Sequence, residues 1–132
     1  MAMQLRIVCP EECVFDGEVA YVGVPSTDGD FGILPRHASE ICTIESGYVR
    51  IADTQMGTID RVIAVTEGFV QVANDQIIIL TERAKDLADV DAEAVRAKRA
   101  GFEESLRNLP EEDAHRAYLY NEIAWCKLLL AR

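Results

Sequence analysis

Short apolar runs recur at close intervals over residues 4–80, and each is ended by a turn-forming pair. Leu5-Arg6-Ile7-Val8 is the first, Cys13-Val14-Phe15 the second, ending at Asp16-Gly17, and Val19 to Val24 the third. Ile41 to Ile44, Tyr48 to Ile51 behind Ser46-Gly47, and Ile59 to Val65 before Glu67-Gly68 follow. Phe69 to Val72 and Ile77 to Leu80 flank Asn74-Asp75. Valine- and isoleucine-rich runs of this length, bounded by Gly, Asn and Asp, predict strands. Asn74-Asp75 fits a two-residue hairpin turn because both residues tolerate positive φ. No helical period of ten residues appears before residue 81, so crossover helices are absent and an antiparallel sandwich or barrel is expected.

The pattern changes at Thr81, after which one glycine and one proline occur. Val95, Phe102, Leu106 and Leu109 recur at helical spacing, with Arg96, Lys98, Arg99, Glu103 and Arg107 between them. Asp89 or Asp91 can cap this helix and Glu93 places negative charge in its first turn. Gly101 within it costs about 1 kcal/mol against alanine. Asn108-Leu109-Pro110 stops it. Glu111, Glu112 and Asp113 are expected at the start of a second helix, and Lys127 and Arg132 near its end. Ala117, Tyr120, Ala124, Leu128 and Ala131 share one face, with Leu119, Ile123, Cys126 and Leu130 beside it. Tyr118, Trp125 and Leu129 widen the apolar arc. The pair reads as an antiparallel helical hairpin, either docked on the strand region or free to change partners.

Charge narrows the partners. Residues 1–80 carry 12 acidic and 4 basic groups, and residues 81–132 carry 11 and 9. The acidic first part repels phosphate backbones, which argues against nucleic acid. It argues equally against direct binding to an anionic membrane. No apolar run of membrane-spanning length occurs. The start lacks a signal peptide's apolar core, so a cytoplasmic location is expected. Cys9 and Cys13 are spaced C-x3-C rather than C-x2-C, so Cys9, Cys13, Cys42 and Cys126 read as small core residues in a reducing compartment, with no metal site.

The segment Val24 to Ala38 concentrates the polar chemistry. Glycine and proline breaks bracket Phe31 to Leu34, so a loop of fixed path is expected to expose Asp28, Asp30, Arg36 and His37. Gly29 and Gly32 form no phosphate-binding motif and read as turn positions needing positive φ. His37 lacks the nucleophile signature that would make it a general base, so no catalytic residue is assigned. Glu82, Asp86, Asp89 and Asp91 lack the order of a calcium loop and read as capping groups. Arg96, Lys98, Arg99 and Arg107 suit a solvated face or docking on an acidic segment.

Gly29-x-x-Gly32-Ile33-Leu34-Pro35-x-His37-Ala38 carries a resemblance to a known family. Asp16-Gly17, Val24-Pro25, Gly47 to Ile51, Glu67 to Val72 and Ile79 to Ala84 extend it, and the terminal helices complete it over nearly the whole chain. In these features the sequence resembles the epsilon-subunit family of the rotary F-type ATP synthases. The resemblance implies a non-catalytic rotor subunit with no cofactor. It implies an N-terminal antiparallel β-sandwich of about ten strands, residues 1–84, gripping the gamma shaft and the c ring, and a regulatory helical hairpin, residues 85–132.

Further expectations follow from the same resemblance. The ring contact falls on Asp28, Asp30, Arg36 and His37. The hairpin lies folded or extends along gamma into the alpha/beta catalytic head, where it blocks ATP hydrolysis. Its brake contact falls on Arg96, Lys98, Arg99, Arg116 and Lys127. The chain would be peripheral on the cytoplasmic side of a bacterial inner or plasma membrane, with a thylakoid or mitochondrial counterpart as the alternative, meeting the membrane only through the complex. Some members bind ATP through an I/L-D-x-x-R-A motif. Here Asp91 is kept but Ala94 holds the arginine position, while Arg116-Ala117 survives in the second helix. Losing a cation that pairs with phosphate counts against ATP binding. A nucleotide-sensing module built on Asp91 and Arg116 is the alternative reading.

Overall fold

Alternation sets the strands: in β1 (Met3–Val8), Met3, Leu5 and Ile7 are buried while Arg6 between them is exposed. The structure is a computed structural model and describes residues 2–131 apart from Asp28 and Met56. β2 (Cys13–Val19), β3 (Tyr21–Ser26), β4 (Gly29–Ile33), β5 (Glu40–Ile44) and β6 (Gly47–Ala52) follow. β7 (Arg61–Val65), β8 (Gly68–Ala73), β9 (Gln76–Thr81) and β10 (Ala84–Asp86) complete ten strands. A 3-10 turn, Leu87–Asp89, then precedes helices α1 (Ala92–Arg107) and α2 (His115–Leu130). The chain divides into two compact units, residues 1–88 and 89–132. The short β10, which begins at residue 84, pairs with β7 in the first unit.

The strands run in the order β10-β7-β6-β3-β5-β8-β9-β1-β2, with β4 paired to β3. β3 and β5 share the single bridge Ser26↔Ile44, where the sheet passes from one half to the other. Inward residues of both halves, among them Leu5, Ile7, Val22, Ile51, Ile63 and Ile79, form one buried cluster. This is the expected β-then-α architecture, with one exception in strand direction. β1 runs parallel to β9, from Gln4↔Gln76 to Val8↔Leu80. Parallel neighbours need a long connection, and here strands β2 to β8 supply it in place of a helix. The return from β9 to β10 is fastened by hydroxyls. Arg83 N–H donates to Thr66 Oγ1 at 3.0 Å, and Thr81 Oγ1 donates to the Arg83 carbonyl at 2.6 Å.

Several boundaries differ from expectation. β4 occupies part of the expected loop, and β10 follows the last expected strand. β2 continues through Asp16-Gly17, while Ile59 and Asp60 lie before β7. Both glycines of the β3–β4 hairpin were expected in turns. Gly29 has φ 110°, but Gly32 lies within β4 and is absent from the positive-φ positions. A Cβ on Gly32 would sit 2.6 Å from the Tyr21 ring. Its requirement is close approach, not backbone freedom.

In the second unit, Asp91 caps α1 by accepting from Glu93 N–H at 3.1 Å and Ala94 N–H at 3.3 Å. α2 starts at His115, later than expected, because Pro110 to Asp113 close a turn in which Asp113 N–H donates to the Pro110 carbonyl at 3.1 Å. Asp113 Oδ1 then accepts from His115 N–H at 2.9 Å. The buried stripe of α2 is Leu119, Ile123 and Cys126, spaced one helical face apart. It is the neighbour of the expected Ala117–Tyr120–Ala124 face, and Tyr120 is exposed. Phe102 of α1 meets the Tyr118 ring edge-on at 6.5 Å between centroids. The expected Arg132 contribution lies outside the described residues.

Gly68 is the most constrained glycine: a Cβ there would fall 1.8 Å from the Leu80 carbonyl oxygen. Gly68→Ala is expected to cost about 3 kcal/mol, read as a lowered midpoint in urea denaturation of the full chain. Gly101→Ala is the opposite case, since nothing lies within 4 Å of the added methyl. It is expected to stabilise α1 by up to about 1 kcal/mol.

Candidate functional site

Leu34-Pro35-Arg36-His37 forms a tight reverse turn after β4. His37 N–H donates to the Leu34 carbonyl at 3.1 Å, Pro35 fixes the first corner, and Arg36 takes φ 68° at the second. A left-handed residue with a side chain costs about 1–2 kcal/mol, so something must hold Arg36 there. Arg36 N–H donates to Asp75 Oδ1 at 2.6 Å. Asp75 stands in the β8–β9 turn, where Asn74 and Asp75 have φ 53° and 59°. That is the hairpin turn expected from the pair.

The ring of His37 is held through one nitrogen. Nδ1 lies 2.8 Å from the Ala38 carbonyl and Nε2 lies 3.9 Å from Glu40. The Phe31 ring is 6.4 Å from it. Asp30 instead occupies an exposed position of β4, with its carboxylate 3.7 Å from Arg50. The sequence-assigned residues therefore make two stations: Asp30 with Arg50, and the Arg36-His37 turn beyond the other end of β4. Asp28 lies outside the described residues.

The second candidate surface was not assigned from sequence. Ile41, Phe69 and Leu80 are 70%, 54% and 50% exposed. Phe69 pairs with Leu80 across β8 and β9, and Leu80 pairs with Val8 of β1. A groove of about 370 Å³ runs beside Val8, Phe69 and Leu80, bordered by Cys9, Glu67 and Glu82. The signal was present in Ile77-Ile78-Ile79-Leu80, because a strand apolar at consecutive positions presents both faces to apolar surroundings.

The basic residues of the second unit do not share one face. Arg96 and Lys98 are two apart on α1 and point about 200° from each other. Arg99 is partly buried and paired to Glu103 at 2.7 Å. Lys127 is exposed on α2. Arg116 donates to the Leu106 carbonyl at 3.1 Å and the Leu109 carbonyl at 3.2 Å, and its guanidinium lies 5.6 Å from the Tyr120 ring. It adds a charged donor at the end of α1, where the Leu106 carbonyl also accepts from Leu109 N–H at 3.3 Å, and opposes the negative helix end. Asp91 and Arg116 consequently sit at opposite ends of α1, about 24 Å apart along its axis. The structure does not bring this nucleotide-binding pair together.

Among the described residues no cluster of His, Cys, Asp or Glu suits a metal ion. The four cysteines carry no disulfide. Burial and the Glu12 charge push the Cys9 thiol above its ordinary range.

Comparison with known proteins decides the family. The model for the ATP synthase delta/epsilon chain beta-sandwich domain matches residues 2–86. An ATP synthase epsilon chain of Rhodospirillum rubrum is 37% identical over 128 residues, covering 97% of this chain and 93% of the relative. The chain belongs to the ATP synthase epsilon-chain family. Another epsilon chain, from Desulforamulus reducens, is 36% identical over 115 residues, covering 86% of this chain and 85% of its own length. The fold alone also matches chains in two cryo-EM structures. One is the Euglena gracilis mitochondrial ATP synthase, OSCP/F1/c-ring (TM-score 0.64, 16% identity, 98% of this chain and 75% of the other). The second is the Tetrahymena thermophila mitochondrial ATP synthase central stalk and c-ring (TM-score 0.56, 14% identity, 98% and 94%). As an epsilon-type chain it is an accessory part of an ATP synthase and not its catalyst.

Two outcomes follow for this epsilon-type chain. Arg116→Ala is expected to loosen the hairpin by about 1 kcal/mol, read as faster amide exchange at the end of α1 and the start of α2. Arg116→Lys recovers only part, because an ammonium lacks the fork that reaches both carbonyls. In the native chain at pH 8, iodoacetamide is expected to label exposed Cys13 before Cys9, whose thiol stays protonated to higher pH.

Proposed function

We propose that this chain is the rotor subunit that joins the gamma shaft to the c ring of an F-type ATP synthase, coupling proton-driven rotation to ATP synthesis. Its helical hairpin brakes ATP hydrolysis. The carrying observation is the extent of the family match: 128 aligned residues, 97% of the chain, so the hairpin is included with the strands. The strand unit, residues 1–84 in the sequence reading, is the gripping part, and residues 85–132 are the regulatory part.

The geometry supports these roles. A contact that transmits torque needs polar groups on a backbone that does not yield. Arg36 and His37 meet that need through their bonded turn, and Asp30 through its place in a strand; Asp28 belongs to the set by the sequence reading alone. The apolar face of Ile41, Phe69 and Leu80, bordered by Glu67 and Glu82, suits a shaft presenting an apolar stripe edged with cations. On the hairpin, Arg96, Lys98 and Lys127 are exposed for an acidic segment of the catalytic head. Arg99 and Arg116 join them when the hairpin rearranges. No helix among the described residues is long and apolar enough to cross a membrane. Peripheral attachment through the complex, on the cytoplasmic face of a bacterial inner membrane, accords with that.

The test is reconstitution with the chain shortened after Ala88, which keeps the buried Leu87 in the first unit. ATP hydrolysis by the complete enzyme is expected to rise severalfold on loss of the hairpin while rotation-coupled proton pumping persists. Equal hydrolysis with and without the hairpin refutes the brake.

A further inference from the structure

We propose that Asp75 is the positioning residue for the polar turn at Leu34 to His37, setting its contact with the c ring from a remote hairpin. The inference rests on the reading of that turn as a ring contact.

Three observations converge on this residue. Its carboxylate accepts the Arg36 N–H at 2.6 Å across a sequence separation of 39. Its own backbone is left-handed, φ 59°, and follows a left-handed Asn74 at the tip of the β8–β9 hairpin. Its carbonyl accepts Gln4 N–H at 2.9 Å, fastening the start of β1. One residue thus joins the turn, the hairpin tip and the N-terminal strand. A polar turn on a flexible tether would slip under load. A turn whose strained corner is bonded to the tip of the β8–β9 hairpin, inside the sheet order, passes displacement to the whole strand unit. Arg36 depends on this bond more than glycine would at the same corner, because its left-handed φ is disfavoured without it.

Substitutions separate the carboxylate from the backbone geometry. Asp75→Gly keeps the left-handed freedom and removes the acceptor, whereas Asp75→Asn keeps both. The first measurement is amide exchange at Arg36 in the full chain. About tenfold acceleration is expected in Asp75→Gly and near-native exchange in Asp75→Asn. The second is protons pumped per ATP hydrolysed by the enzyme reconstituted with each variant. Asp75→Gly is expected to lower this ratio at least twofold at matched urea midpoints, with Asp75→Asn restoring it. A stability defect alone would not show that rescue.

Unchanged Arg36 exchange in Asp75→Gly overturns the proposal. So does accelerated exchange with full coupling, when His37→Ala in the same assay does lose coupling. If His37→Ala also retains full coupling, the ring-contact reading of the turn has failed, and the role of Asp75 falls with it.

Discussion

The inward row of aliphatic side chains fixes nearly everything else in the strand unit. Met3, Leu5 and Ile7 on β1, Val70 and Val72 on β8, and Ile77 and Ile79 on β9 are all essentially inaccessible. A slip of one residue in any of these strands would turn the row to solvent and bring Arg6, Gln71 or Ile78 inward. Register is therefore set by burial, and the identity of the outward residues follows from it. Phe69, Leu80 and Ile41 are outward because their neighbours must be inward. The outer face they form is apolar although the core does not need it, and the proposed function uses it as the surface that meets the shaft.

The same register explains the glycines of the loop motif. Gly23 and Gly32 are opposite each other on β3 and β4, and Tyr21 lies over both. The ring packs where two side chains are missing, so a segment poor in strand formers still forms an edge strand. Asp30, two residues before Gly32, then projects on the exposed side toward Arg50. The motif expected as a loop of fixed path is a short strand followed by one tight turn, and its polar groups inherit the stiffness of the sheet.

Legibility in the sequence follows the range of the interaction. The Asn74-Asp75 turn, the Asp91 cap and the stop at Asn108-Leu109-Pro110 were legible because each is decided within four residues. β4 was hidden because Gly29 and Gly32 lower strand propensity and only Tyr21 compensates. The parallel β1–β9 pair was hidden because period-two alternation is identical for both strand directions. Asp30 and His37 were legible as exposed polar groups, but their separation into two stations was not, since it depends on where β4 ends. The link from Arg36 to Asp75 was the least legible, being a backbone donor meeting a side chain 39 residues away. Arg116 was legible as a charge but not in its contacts within the hairpin. Its charge drew attention outward, while the carbonyls of Leu106 and Leu109 hold it inward.

The helical unit obeys a different economy from the strands. α1 buries no residue, α2 buries three and starts without a side-chain cap, so the hairpin rests on a thin packed seam. Segments with so thin a core open at low free-energy cost. On the proposed reading, a brake must exchange one set of contacts for another, and the partner shifts the population only by contacts it makes in one state. The cations then rank by what each gives up. Arg96, Lys98 and Lys127 face solvent and give up little. Arg99 gives up a helical pair with Glu103 that contributes a few tenths of a kcal/mol. Arg116 gives up two carbonyl bonds and exposes the end of α1, which costs more. On that reading the hairpin would engage a partner first through its exposed lysines and Arg96, then through Arg99. Release of Arg116 is the step that separates a docked but closed hairpin from an open one.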